Sequence, residues 1–155
     1  MKQLQQDILD STLTTFGINA FDTELVRNML KHILKDKKYV FVDDDSLVEK
    51  MSKIYDYIII NIDGNYKNYK QIRNLKRTQT NSKIIFITHV YFSISNNRYE
   101  IPKQQLLYSS DVVGTVVANK LNIYKNRFGK NKNVDLSIFN KRLILNNKLQ
   151  KIKKI

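Results

Sequence analysis

The chain has no cysteine, no tryptophan, one proline and four glycines in 155 residues. Without cysteine there is neither a disulfide framework nor a thiolate metal site. The two histidines, His32 and His89, stand far apart in sequence, which argues against a structural zinc site. None of the glycines (Gly17, Gly64, Gly114, Gly129) opens a G-x-x-x-x-G-K-[ST] phosphate loop. No apolar run approaches a membrane span, and the opening MKQLQQDILD lacks a signal-peptide core. These absences predict a cytoplasmic protein with no membrane partner.

Acids are scarce too. There are 14 against 27 basic side chains, a net charge of +13. The imbalance grows along the chain. Residues 1–56 carry 8 basic and 10 acidic groups, residues 57–111 carry 8 and 3, and residues 112–155 carry 11 and 1. A charge so skewed towards one end points to a polyanion partner, DNA or another nucleic acid, on the C-terminal part. Abundant Lys and Asn throughout is the plainer account, a solvated surface in a biased composition.

The length fits one domain with a hydrophobic core of its own. We expect it over residues 1–145, with a basic tail at 146–155. Leu4, Ile8, Leu9, Leu13 and Phe16 fall near one helical face, predicting a helix over 3–16 that stops at Gly17. A second helix is predicted from an Asp22 cap, with Phe21 and Val26 as a hydrophobic staple and Leu25, Met29, Leu30 and Ile33 in its stripe. The first 36 residues thus read as a helical N-terminal part. Three apolar runs follow, at 39–42, 57–62 and 83–88. Between them lie a capping box at Ser46 and Glu49 and a helix at 66–77. Strands apolar on both faces, alternating with helices, indicate a covered parallel sheet. Residues 91–110 read as a long loop. Antiparallel strands are expected at 112–118, 120–126 and 133–139, with Val134, Leu136 and Ile138 inward, and a short strand at 141–145.

In open parallel sheets function collects at the carboxyl ends of the strands. There stand Asp43–Asp45, Asp63, and Thr88 with His89. Each has a structural alternative as a capping or turn residue. The loop after His89 and the cations Lys125 and Arg127 are expected near the same edge. Tyr91, Phe92 and Tyr99, near Arg98, read equally as rings that stack on bases and as packing for the loop itself. His32 is expected to be inert.

The run from Tyr57 to Asp63 (YIIINID) resembles a Walker B strand. Ile84–His89 (IIFITH) resembles the strand after it, and residues 125–130 (KNRFGK) resemble the KNR-type segment of hexameric helicases. Together, in this order, residues 39–139 are similar to the C-terminal two-thirds of a RecA/DnaB-like ATPase core. The resemblance implies a three-layer α/β fold, a parallel sheet core extended by C-terminal antiparallel strands. It implies Asp63 at a Mg²⁺, His89 as γ-phosphate sensor, and Lys125 and Arg127 as cations for a neighbouring subunit's nucleotide. It places a DNA-contacting loop at 91–108, and the expected nucleic-acid contacts are Arg98 and Lys103 in that loop with Lys120, Lys130 and Lys132 of the basic C-terminal hairpin. It departs at the missing phosphate loop, so the chain alone is not expected to be an ATPase. Mg-ATP would be shared with a P-loop-bearing partner subunit or a homo-oligomer. The expected function is then a nucleic-acid-associated subunit in replication or recombination. A second resemblance, to phosphoacceptor receiver domains through the acidic run at 43–45, Asp63 and Thr88, implies a regulatory or scaffold domain instead.

Overall fold

A computed structural model describes residues 2–43, 48–62, 82–101, 104–140 and 148–149. Asp44, Asp45, Ser46, Asp63, Lys103, the helix at 66–77, the strand at 141–145 and the basic tail except 148–149 lie outside the described residues. The core is a seven-stranded sheet in the order β2-β3-β4-β1-β7-β8-β9. Its strands are β1 (Leu13–Ile18), β2 (Tyr39–Val42), β3 (Tyr57–Ile62), β4 (Lys83–His89), β7 (Val112–Val117), β8 (Lys120–Asn126) and β9 (Asn133–Asp135). β2, β3, β4, β1 and β7 are mutually parallel. β8 and β9 extend the sheet antiparallel. Among the described residues the domain is therefore mixed α/β with a mostly parallel sheet.

The first correction is at the N-terminus. The expected helix over 3–16 is α1 (Lys2–Asp10) followed by β1, the central strand. The Ser11 amide closes the helix on the carbonyls of Asp7 and Ile8. Thr14, Thr15 and Ile18 are β-branched and suit a strand. Leu13 and Phe16 looked like neighbours on a helix. Three residues apart in a strand, they point to opposite faces and enter different apolar clusters.

Gly17 does not stop a helix. It sits inside β1, where a Cβ would lie 2.4 Å from Val90 Cγ1 and 2.6 Å from Ile101 Cγ1. Only a residue without a side chain leaves room there.

α2 (Thr23–Ile33) forms as expected, burying Leu25, Val26, Met29, Leu30 and Ile33. Its predicted staple does not form, because Phe21 is 98% exposed. Asp22 occupies the N-cap position without a side-chain capping bond. α1 and α2 pack on one sheet face with Phe16, Ile59, Ile85 and Val116. α3 (Val48–Met51) contributes Val48 to a second cluster with Leu13, Ile58, Ile60, Ile84 and Phe86.

The expected loop at 91–110 is largely ordered. β5 (Tyr91–Ser93) and β6 (Arg98–Glu100) form a separate antiparallel hairpin, and α4 spans Gln104–Ser109. Strands of three residues show no legible alternation, and the turn between them relies on Asn97 at φ 50°. At β7–β8 the two-residue turn Ala118-Asn119 has φ 51° and 62°, the left-handed pair of a type I′ hairpin.

The last strand is shorter than expected. β9 ends at Asp135, whose carboxylate accepts from the Ser137 amide and hydroxyl and turns the chain into a 3-10 turn. Leu136 is buried as expected, but Ile138 is 70% exposed.

Candidate nucleic-acid cleft

The sheet has two ends, and they divide the candidate residues. Parallel strands run to the carboxyl edge, where His89 ends β4 in register with Ile18 of β1. His89 is half-buried there, and Asp43, just after β2, is exposed. β8 runs the other way. Lys120 therefore starts at the carboxyl edge beside Val117, and Lys125 and Arg127 finish at the amino edge beside Val113 and Asp111. The expectation that Lys125 and Arg127 lie at the carboxyl edge with His89 is thus corrected, although Lys125 does meet the far end of the 91–110 segment at Leu107 and Tyr108. A strand of six residues, about 20 Å, separates the two edges.

At the amino edge both cations have internal acceptors. Lys125 Nζ donates to the carbonyls of Leu107 at 2.7 Å and Tyr108 at 3.2 Å, the open end of α4. Arg127 Nη1 lies 3.3 Å from Asp111 Oδ1, with the Arg127 side chain still 74% exposed. Asp111 Oδ2 also accepts from the Thr12 amide at 2.9 Å and the Thr12 hydroxyl at 3.0 Å. Burial pushes the Asp111 carboxyl up, but the Thr12 bonds and the Arg127 charge outweigh it and hold it below the usual range. Lys130 lies in the exposed turn beyond this edge, and Lys132 lies alongside Ile123, also exposed. His32 is exposed, its ring 5.4 Å from that of Phe139.

A bulge in β8 arranges these side chains. The β7–β8 register pairs Val113 with Lys125 but Gly114 with Ile123, leaving Tyr124 as the extra residue. Lys120, Asn122 and Tyr124 share the wet face of the strand. The slip then brings Lys125 to the same side, over α4.

On that side, between the β5–β6 hairpin and β7–β8, lies a cleft of about 830 Å³. The hairpin wall carries Tyr91, Phe92, Arg98 and Tyr99. The sheet wall carries Thr115, Lys120, Asn122 and Tyr124, with Thr115 opposite Asn122 in register. Two residues anchor the hairpin's ends: Val90 and Ile101 both sit against Gly17.

Within the cleft the polar groups are pre-set. Glu100 accepts from Tyr91 Oη at 3.0 Å, Asn96 Nδ2 at 2.7 Å and Arg98 Nε at 3.0 Å. The bonds from Asn96, Arg98 and Tyr91 hold the Glu100 carboxyl below its ordinary range. The same bond, with lesser help from burial, raises the Tyr91 phenol. Burial pushes the Tyr124 phenol up to about 12. Phe92 and Tyr99 meet edge to face at 5.2 Å. Arg98 keeps 72% of its side chain exposed, and a guanidinium held through Nε still presents two terminal nitrogens to a second acceptor.

Of the residues expected to contact nucleic acid, Arg98 and Lys120 come together here, and Lys130 and Lys132 do not. Thr115, Asn122 and Tyr124 were not singled out from the sequence. The alternation of Lys120, Asn122 and Tyr124 with buried Leu121 and Ile123 was the signal for them. Among the described residues no group of three or more acids and histidines is placed to hold a metal. No helix among them is long and apolar enough to cross a membrane.

The first connection at the carboxyl edge is chemically different. β1 leads through residues 19–22 into α2, a strand–loop–helix order that anion sites share. Here Asp22 and Glu24 stand at the helix start. Their carboxylates occupy the positive end of the helix dipole and oppose phosphate. Burial raises the Asp22 carboxyl.

No known protein family, curated protein or solved structure matches the chain.

Proposed function

We propose that the chain is a nucleic-acid-associated subunit of RecA-like architecture, acting in DNA replication or recombination without a complete ATP site of its own. The observation that carries this reading is the cleft, where Arg98 and Lys120 come from separate segments to flank four aromatic rings. Cations and rings together suit a backbone and its bases. Support for the architecture is coarser, a parallel core extended by antiparallel strands at its C-terminal side.

The β1–α2 connection bears on how such a subunit lost its nucleotide. Gly17 is followed by Ile-Asn-Ala-Phe and then Asp22-Thr23-Glu24, where a phosphate loop has Gly-Lys-Ser/Thr. The strand and helix that would carry the loop are present, which favours a degenerate subunit over a split one. Asp63 and a shared Mg-ATP then belong to an assembly with an intact partner. Arg127 serves such a partner only by giving up Asp111.

The receiver-like reading is disfavoured by strand order. Numbered over its parallel strands, this sheet runs 2-3-4-1-5, against 2-1-3-4-5 for receiver domains.

The test is fluorescence anisotropy with a labelled oligonucleotide. Replacing Arg98 and Lys120 together by alanine should weaken binding about tenfold, about 1.4 kcal/mol. No binding at low salt, or an affinity untouched by the double change, would sink the reading.

A further inference from the structure

The cleft is specific about which part of a nucleic acid it suits. Its charge is modest, Arg98 and Lys120 against the carboxylate of Glu100. Most of the C-terminal excess of lysine lies elsewhere. Its rings are prominent: Tyr91, Phe92 and Tyr124 remain 48%, 49% and 42% exposed, drawn from both walls. Exposed rings lining one concave surface mark a place where another flat apolar surface is received. Asn122 on the sheet wall offers an amide, able to donate and accept along a base edge. The volume falls in the range of sites for small ligands.

We propose that this cleft receives an unpaired nucleotide ring, stacked between the hairpin and Tyr124, with the attached phosphate on Arg98 and Lys120. The inference rests on the reading above in placing nucleic-acid chemistry in this cleft, and it goes further in assigning most of the affinity to the base. A duplex keeps its bases stacked inside and offers such a cleft only phosphate. An abasic strand offers phosphate and sugar.

The ring has two sources, a free mononucleotide or an unpaired strand, and one experiment separates them. The full chain is titrated with a labelled single-stranded octanucleotide, an abasic strand of equal length and a duplex, and nucleoside monophosphate is used as competitor. The base-bearing strand should bind at least about tenfold tighter than the abasic strand or the duplex, in keeping with stacking on even one ring. With two phosphate contacts its logarithmic salt slope should be shallow, about −1.4. Tyr124→Leu keeps an apolar side chain and should close most of the gap between base-bearing and abasic strands. Phe92→Leu repeats the test from the other wall should the first variant melt early. Displacement by the monophosphate assigns the site to free nucleotides, and a retained gap without displacement assigns it to strands. Equal binding of base-bearing and abasic strands, both weakened by Arg98→Ala, would overturn the ring assignment and leave the nucleic-acid reading standing. Absence of binding by any strand or monophosphate would overturn both.

Discussion

The two edges of one sheet treat their cations differently. At the amino edge, Lys125 closes α4 and Arg127 closes on Asp111. At the carboxyl side, Arg98 is held by one nitrogen and faces an open cleft with Lys120. The same charge thus does structural work at one end and is presented to a ligand at the other. The difference comes from strand direction. β8 runs against its neighbours, so a lysine at its start and a lysine near its end serve opposite edges.

The largest expected effect tests the link between the cleft and the sheet. Gly17→Ala forces a methyl against Val90 and Ile101, where the hairpin is rooted. Overpacking of this kind should cost about 1–3 kcal/mol in urea unfolding. The same variant should also lose strand affinity, because the hairpin wall is displaced. Unchanged affinity would show that the hairpin is not seated through Gly17.

Next, Lys125→Met leaves the last carbonyls of α4 without their ammonium. A loss of about 1–2 kcal/mol is expected, with oligonucleotide affinity unaltered. A clear fall in affinity at full stability would break the contrast between the edges. Thr14→Val should move stability the other way, by about 1 kcal/mol. The Thr14 hydroxyl is the one buried side-chain polar atom among the described residues with no hydrogen-bond partner, and an apolar isostere removes that penalty.

The smallest effect is on the Asp111 pair. Because its carboxyl is held below the usual range, its contribution is present above the ordinary carboxylate titration and is lost as pH falls through the lower folded value. Asp111→Asn should therefore flatten the acid side of the stability profile, from the ordinary carboxylate titration downward. Arg127→Ala should cost under about 1 kcal/mol, since the guanidinium is mostly in water. A larger loss would mean that Arg127 is as structural as Lys125.

How much of this was legible depended on length and repetition. The apolar runs at 57–60 and 84–88 are buried on both faces and the one at 39–42 is half-buried, and they announced a parallel sheet. β1 did not, because Leu13 and Phe16 also satisfy helical spacing and α1 precedes them directly. The hairpin at 91–100 was hidden by strands of three residues. Arg98, Lys120 and the aromatic residues were recognisable as chemistry, but their meeting was not. It depends on the β7–β8 register and a hairpin rooted on Gly17, pairings no local pattern records. Lys125 and Arg127 were recognisable as cations, yet their internal acceptors lie on α4 and before β7.

β1 also governs when the fold can close. Leu13 pairs with Ile84 and Thr14 with Val112, and the Thr12 bonds to Asp111 span 99 residues. The strand at the centre of the sheet is made early by the ribosome and gains its second neighbour only late, from β7. Until residue 112 has emerged, β1 has an unpaired flank and its apolar side chains lack part of their cover. Such non-local closure slows folding and prolongs exposure of a sticky edge. A chain halted before β7 should therefore be protease-sensitive throughout β1, and the full chain should gain that protection in its final, slowest phase.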